Sequence, residues 1–240
     1  MSRIFITGDV HNTIDVGKFN NRNFPIQKEL TKNDYVIILG DFGFPWHNPE
    51  NKEDKYWLDW FDNKNFTTLF IDGNHENFNA LENYPTVNFK GAKCHKLRNN
   101  IYHITRGEII NINNINFLCM GGAVSVDRAY RKENISWWKE EEPTYHEWEK
   151  AFKKLDKADI ILTHDAPFDV LKQIKNIKKN NVNSMLNRML EFNTNATKWY
   201  FGHHHINNKI TYNNIEFNVL YNDIIEFWTT HNWRREFLKI

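Results

Sequence analysis

Short, nearly unbroken apolar runs recur along the chain, each ending abruptly in glycine or in residues that carry chemistry. Arg3–Thr7 closes on Gly8, Tyr35–Leu39 on Gly40-Asp41 and Phe66–Ile71 on Asp72-Gly73. Ala158–Thr163 closes on His164, and Thr197–Phe201 on Gly202. Runs of this length, rich in Val, Ile and Phe and without polar alternation, read as strands buried on both faces. Between them the apolar positions fall at helical spacing. Trp57, Leu58, Trp60 and Phe61 mark a helix over Lys55–Phe61, and a shorter one begins at Phe78–Leu81. Trp148, Ala151, Phe152 and Leu155 share one face of Thr144–Leu155, where Thr144 and Glu147 have capping-box spacing. Ser184–Phe192 is a further helix, and residues 13–33 read as a polar loop with a short helix near Ile26–Leu30. Strand, helix, strand in alternation is the order expected of α/β units.

The texture changes from Cys94 to Val126. Four short β-type runs follow closely there: His95–Leu97, Ile101–Thr105, Glu108–Ile112 and Ile115–Met120. They read as an antiparallel portion that joins a second sheet. Lys209–Tyr212 and Ile215–Val219 flank Asn213-Asn214 as a hairpin. The ends of the apolar runs carry the candidate chemistry. Gly8-Asp9-Val10-His11 puts a carboxylate and an imidazole two apart, on one side of an extended chain. Gly40-Asp41, Gly73-Asn74-His75-Glu76, Thr163-His164 and Gly202-His203-His204-His205 follow in order. Taken singly, each piece also fits a turn acid or a surface histidine.

As an ordered set over residues 9–205, these pieces resemble the calcineurin-like metallophosphoesterases, whose pattern runs Asp-x-His, Gly-Asp, Gly-Asn-His, a lone His, then Gly-His-x-His. The resemblance implies a four-layer α/β/β/α sandwich of two mixed β-sheets flanked by helices. It implies two divalent transition-metal ions, manganese first and iron, zinc or nickel as alternatives. The first would be held by Asp9, His11, Asp41 and His205, the second by Asp41, Asn74, His164 and His203. It makes His75 the general acid at the leaving oxygen, with Asp72 or another carboxylate orienting it, and turns His204 away. Nitrogen and oxygen donors suit those metals better than an all-oxygen magnesium or calcium site.

The chain departs from part of the family. Protein Ser/Thr phosphatases and dinucleotide tetraphosphatases continue from Gly-Asp to Asp-Arg-Gly, whereas here Phe42-Gly43-Phe44-Pro45-Trp46 follows. The arginine that grips phosphate in those groups is missing. Gly121-Gly122-Ala123-Val124-Ser125-Val126-Asp127-Arg128-Ala129-Tyr130-Arg131 is similar to a stretch of phage and bacterial members. Arg128 and Arg131 are its candidate substrate-binding residues. A surface loop with two solvated arginines is the plainer reading. His47, His95, His103 and His146 read as histidines without a metal, Trp137-Trp138 as a lid or a packing patch, and residues 172–181 as a solvated Lys/Asn-rich stretch.

Composition narrows the partners. The chain has 240 residues, with 31 Lys+Arg against 30 Asp+Glu, so it lacks the basic excess of a bulk nucleic-acid binder. Its 15% aromatic content supports a large core. Cys94 and Cys119 form neither a metal spacing nor a disulfide framework. Neither a signal-like segment nor a membrane-length apolar run is present, so the expectation is a cytoplasmic protein without membrane attachment. The whole chain, 1–240, reads as one domain, with a tail from 224 to 240 whose role the sequence leaves open. The expected activity is hydrolysis of a small phosphodiester or nucleotide-like substrate. A phosphomonoesterase or protein phosphatase, and a non-catalytic scaffold of the same fold, are the alternatives. The sequence does not give the oligomeric state.

Overall fold

The computed structural model describes residues 1–227. Three apolar runs near the N-terminus form parallel strands β1 (Ile4–Thr7), β2 (Tyr35–Leu39) and β3 (Thr67–Ile71). Helix α1 (Lys52–Asp62) crosses from β2 to β3. Its Asn51 cap and Asp54 exchange hydrogen bonds, and buried Asp54 also accepts from the His47 and Trp46 amides. After the short α2 (Phe78–Leu81) come β4 (Thr86–Phe89), β5 (Ala92–Arg98) and β6 (Ile101–Ile104), then β7 (Glu108–Ile112) and β8 (Ile115–Met120). The second half supplies α3 (Tyr145–Phe152), β9 (Ile160–Thr163), α4 (Phe168–Leu171), α5 (Asn181–Phe192), β10 (Lys198–Phe201), β11 (Asn208–Tyr212), β12 (Ile215–Val219) and β13 (Ile224–Glu226).

These strands make a seven-stranded sheet in the order β13-β1-β2-β3-β6-β5-β4 and a six-stranded sheet in the order β11-β12-β10-β9-β8-β7. Both are mixed. Period-two alternation along each strand explains the layers. Tyr35, Ile37 and Leu39 of β2 face inward, onto Phe117, Leu162 and Tyr200 of the other sheet. Val36 and Ile38 face outward and pack with Leu58 and Phe61 of α1. On the far side, Ile161, Trp199 and Phe201 meet Trp148 of α3, Val170 of α4 and Leu186 of α5. The result is the expected sandwich, helix over sheet over sheet over helix. β2 and β9 are apolar throughout because each has a core on both sides.

Two local expectations are corrected. The runs at His95–Leu97 and Ile101–Thr105 do not enter the second sheet; β6 pairs in parallel with β3, and β5 and β4 extend that first sheet. Only β7 and β8 start the second. Every residue of β6 is buried, but local pattern cannot say against which strand. β4 went unread because its face is only half covered. The expected helix near Ile26–Leu30 is a single 3-10 turn, Pro25–Lys28, and another such turn lies at Val16–Phe19. Within the tail, Ile224–Glu226 is a strand antiparallel to β1, while 228–240 lie outside the described residues. Trp137 and Trp138 are buried and Trp138 packs edge-on against Trp46, so this pair is a packing patch.

Candidate metal centre

Parallel strands deliver their side chains to one edge. Asp9 and His11 follow β1, Asp41 follows β2, Asn74 and His75 follow β3, His164 follows β9, and His203 and His205 follow β10. Ligand groups gather at the carboxyl ends of strands in such sheets. The chain must turn at once after each strand, and it does so in strained backbone. His11, Asp41, His203 and His205 all have φ between +48° and +64°, a region that non-glycine residues rarely occupy. Two glycines make room for the side chains. A Cβ at Gly73 would lie 2.0 Å from Asp41 Oδ1. One at Gly40, whose φ is +92°, would lie 2.2 Å from His164 Nδ1.

Asp41 stands at the centre. Its Oδ2 lies 3.1 Å from His11 Nε2 and its Oδ1 3.3 Å from His164 Nε2. Asp9, His11 and His205 converge on one side, with His205 Nε2 3.3 Å from Asp9 Oδ2. Asp41, His164 and His203 converge on the other, where Asn74 Oδ1 is 3.2 Å from His164 Nε2. The seven sequence-predicted ligands therefore lie in two adjoining groups that share Asp41.

The donor set fits divalent cations of the transition series. Asp9 Oδ2 is buried and, beyond the His205 Nε2 that stands 3.3 Å away, has no partner, as befits an acceptor that a cation would satisfy. Without cations, protons on the imidazoles balance the carboxylates. Burial disfavours charge on His164, but Asp41 and Asp9 outweigh it and push its pKa up to about 10. His11, likewise buried but facing Asp41 and Asp9, is raised to about 9. Burial would raise Asp41 and Asp9, yet the surrounding imidazoles hold both below the usual carboxylate range.

A further set of residues aims the ligands. His164 Nδ1 donates to the Leu39 carbonyl at 2.6 Å, which leaves Nε2 facing Asp41. His11 Nδ1 donates to Asp15 Oδ2 at 2.8 Å, and Asp15 in turn accepts from the Tyr221 hydroxyl. The Asn74 amide donates to Ser125 Oγ at 3.0 Å, so its oxygen points at the metal side. Ser125 is itself bonded to buried Glu141. Glu76 accepts from the amides of Phe42 and Gly43 and so holds the loop behind Asp41; burial and the Asp41 charge push its pKa up to about 8. Buried Lys18 donates to the Asp9 and Tyr221 carbonyls, both at 2.6 Å. Glu76 and Ser125 stand in stretches that the sequence singles out, without a role for either, and the other four were not legible as functional. Each is a common polar residue in a loop, and only the fold shows what it holds.

His75 lies beside the centre. Its backbone amide donates to Asp41 Oδ1 at 2.7 Å and its ring packs edge-on against His11. Asp72 does not orient it. That carboxylate turns back to His103 and Arg106, and burial is outweighed by their charge so that its pKa falls to about 2. The ring instead meets Arg131, whose Nη2 is 2.9 Å from His75 Nε2. Burial, and the Arg131, His11 and His164 charges beyond the pull of Asp41, keep the His75 pKa below its ordinary value. Arg131 thus reaches the site. Arg128 does not; it lies over the Trp137 ring at 3.9 Å, more than half exposed, and extends toward Glu142. His204 turns from Asp41 to Asp165, 3.0 Å away. His47 caps toward Asp54, and His146 is exposed. Above the centre is an open cleft of about 560 Å³, bordered by the 124–131 and 175–180 segments.

No curated protein matches the chain. Among solved structures, it is similar to a putative 5'-nucleotidase from Staphylococcus aureus at a TM-score of 0.52 and 14% identity, over 96% of this chain and 51% of that one. The chain thus spans about half the length of that relative, and the likeness is one of fold. The phosphopantetheinyl hydrolase PptH from Mycobacterium tuberculosis aligns over 98% of this chain and 92% of its own, at 15% identity and a TM-score of 0.43. GAP50, described as the anchor in the inner membrane complex of Plasmodium, aligns over 92% and 71% at 12% identity and 0.48. The model of the calcineurin-like phosphoesterase family matches residues 2–207, most of the chain, and the protein belongs to that family of metal-dependent phosphoester hydrolases.

Proposed function

We propose that this protein hydrolyses small phosphodiesters or nucleotide-like phosphoesters at a centre of two divalent cations, with manganese the first candidate. The observation that carries this reading is the placement of Asp41, whose two carboxylate oxygens face His11 on one side and His164 on the other. Asp9, His11, Asp41 and His205 would hold one cation, and Asp41, Asn74, His164 and His203 the second. Bound there, the cations would polarise the phosphate and make a water nucleophilic near neutral pH.

The chain's own residues do the rest. Asp41 fixes the spacing of the two groups, and its backbone contact with His75 fixes the imidazole relative to them. His75 stands where it can hand a proton to the departing oxygen. Arg131, held by Asp127 and beside the His75 ring, brings positive charge to the phosphate and would take the place of the missing Asp-Arg-Gly arginine. Near-zero net charge favours a small phosphorylated substrate over a nucleic acid. Among the described residues no helix is long and apolar enough to cross a membrane, and a cytoplasmic setting is part of this proposal.

The test is elemental analysis of protein purified without chelators, followed by rates on bis(p-nitrophenyl) phosphate and p-nitrophenyl phosphate with added manganese. Two equivalents of metal, and faster turnover of the diester, are expected. Asp41→Asn should lose metal and at least 10²-fold in rate, about 2.7 kcal/mol of barrier. Faster turnover of the monoester would favour the phosphatase reading. Inert protein in the presence of manganese would favour the scaffold.

A further inference from the structure

The cleft above the metal centre is larger than a phosphate needs, and its volume lies in the range of sites that enclose whole organic ligands. Its walls differ. On the His75 side stands Arg131, tied to Asp127 at 2.9 Å. On the Asp165 side runs the loop after α4, which contributes Lys175, Ile177 and Lys178. This is the Lys/Asn-rich stretch that sequence alone reads as plain solvated surface.

The lysines of that stretch divide into two kinds. Lys172 pairs with Asp169 at 2.7 Å, and Lys179 lies over the Phe168 ring at 5.5 Å. Lys175 and Lys178 border the cleft, and among the described residues neither has a carboxylate within 4.0 Å. Unpaired cations at the edge of a concave site concentrate anions there. Each wall also carries an apolar side chain. Val126, 98% exposed, and Ile177 border the same cleft.

We propose that Lys175 and Lys178 form a second anion-holding pole, which selects phosphoesters that carry another charged group, such as a terminal phosphate, beyond the one that is cleaved. The organic part joining the two rests on Val126 and Ile177. This deepens, and rests on, the hydrolase reading above.

The test compares the manganese-loaded protein on the dinucleotide ApA and on its 5'-phosphorylated form pApA. The wild type prefers pApA, mainly through KM. Lys175→Gln/Lys178→Gln lowers the ratio of kcat/KM for pApA over ApA about tenfold, because two partly solvated contacts are lost. Lys172→Gln/Lys179→Gln changes net charge equally and leaves the ratio within about twofold. Equal losses on both substrates, no loss, or the same loss in the control pair would overturn the proposal. If the wild type cleaves neither dinucleotide nor the nitrophenyl diester, it is the hydrolase function that fails. Calorimetric binding of adenosine 3',5'-bisphosphate and AMP then reads the second pole directly. Tighter binding of the bisphosphate, lost in Lys175→Gln/Lys178→Gln, supports it; equal affinity for both ligands overturns it.

Discussion

His75 shows how far a single side chain can be separated from the centre it serves. It touches Asp41 through its backbone amide and Arg131 through its ring, so truncating the ring should leave the seven proposed ligands in place. His75→Ala is therefore expected to bind two equivalents of metal by elemental analysis. Its turnover of an alkyl phosphodiester should fall by about 10²-fold or more, because a poor leaving oxygen needs its proton. The loss on a nitrophenyl ester, whose leaving group departs unprotonated, should be much smaller. Equal losses on both esters would make His75 a positioning group rather than an acid. At this scale the sequence was informative for the ligands because spacing and order distinguish them. It gave no role to Ser125 and Glu76, whose hydrogen bonds cross from one loop to another, or to Asp15, which accepts from His11 within one loop.

The strand-to-loop junction is the element on which the centre depends. The ends of β1, β2, β3 and β10 turn in left-handed backbone or through a glycine packed on a proposed ligand, so those loops are set by sterics before any cation arrives. Gly73→Ala tests this. The added methyl would sit against Asp41 Oδ1, and relief requires either the carboxylate or the turn to move. We expect a loss of about 1–3 kcal/mol in denaturant unfolding, the range for overpacking. We also expect metal content below two equivalents. Full metal occupancy with unchanged stability would show that the turn yields without disturbing Asp41. The same junctions explain what could be read in advance. β2, β3 and β9 are apolar throughout, since both faces meet a core, and their ends stand out. Sheet membership of β5 and β6 was not visible, because β6 gains its place by pairing with β3 across a long stretch of chain.

On the scale of the molecule, the centre joins the two sheets. Asp9, Asp41 and Asn74 come from the first and His164, His203 and His205 from the second. Carboxylates facing imidazoles across that seam give a pH dependence whose sign can be worked out. His11 and His164 are raised to about 9 and about 10 from an ordinary value of 6.5. A raised folded-state pKa contributes stability that is complete below pH 6.5 and is lost as pH climbs through 9 to 10. Chelator-treated protein should therefore melt at progressively lower temperature between pH 7 and pH 10. In the metal-loaded protein the cations replace those protons, and the decline should be shallower. Parallel melting curves for the two forms across that window would show that the imidazoles do not carry the seam.

The placement of β13 bears on synthesis. The last proposed ligand is residue 205, yet the outermost strand of the first sheet is Ile224–Glu226, clamped by the fork between Arg3 and Glu226. A ribosome therefore releases every proposed ligand before it releases the strand that covers β1. During that interval the nascent chain can gather its ions while one flank of its N-terminal strand still lacks its neighbour, and an uncovered flank invites pairing with another chain. Chaperone dependence in this protein would then follow the synthesis of residues 206–226 rather than its metal supply.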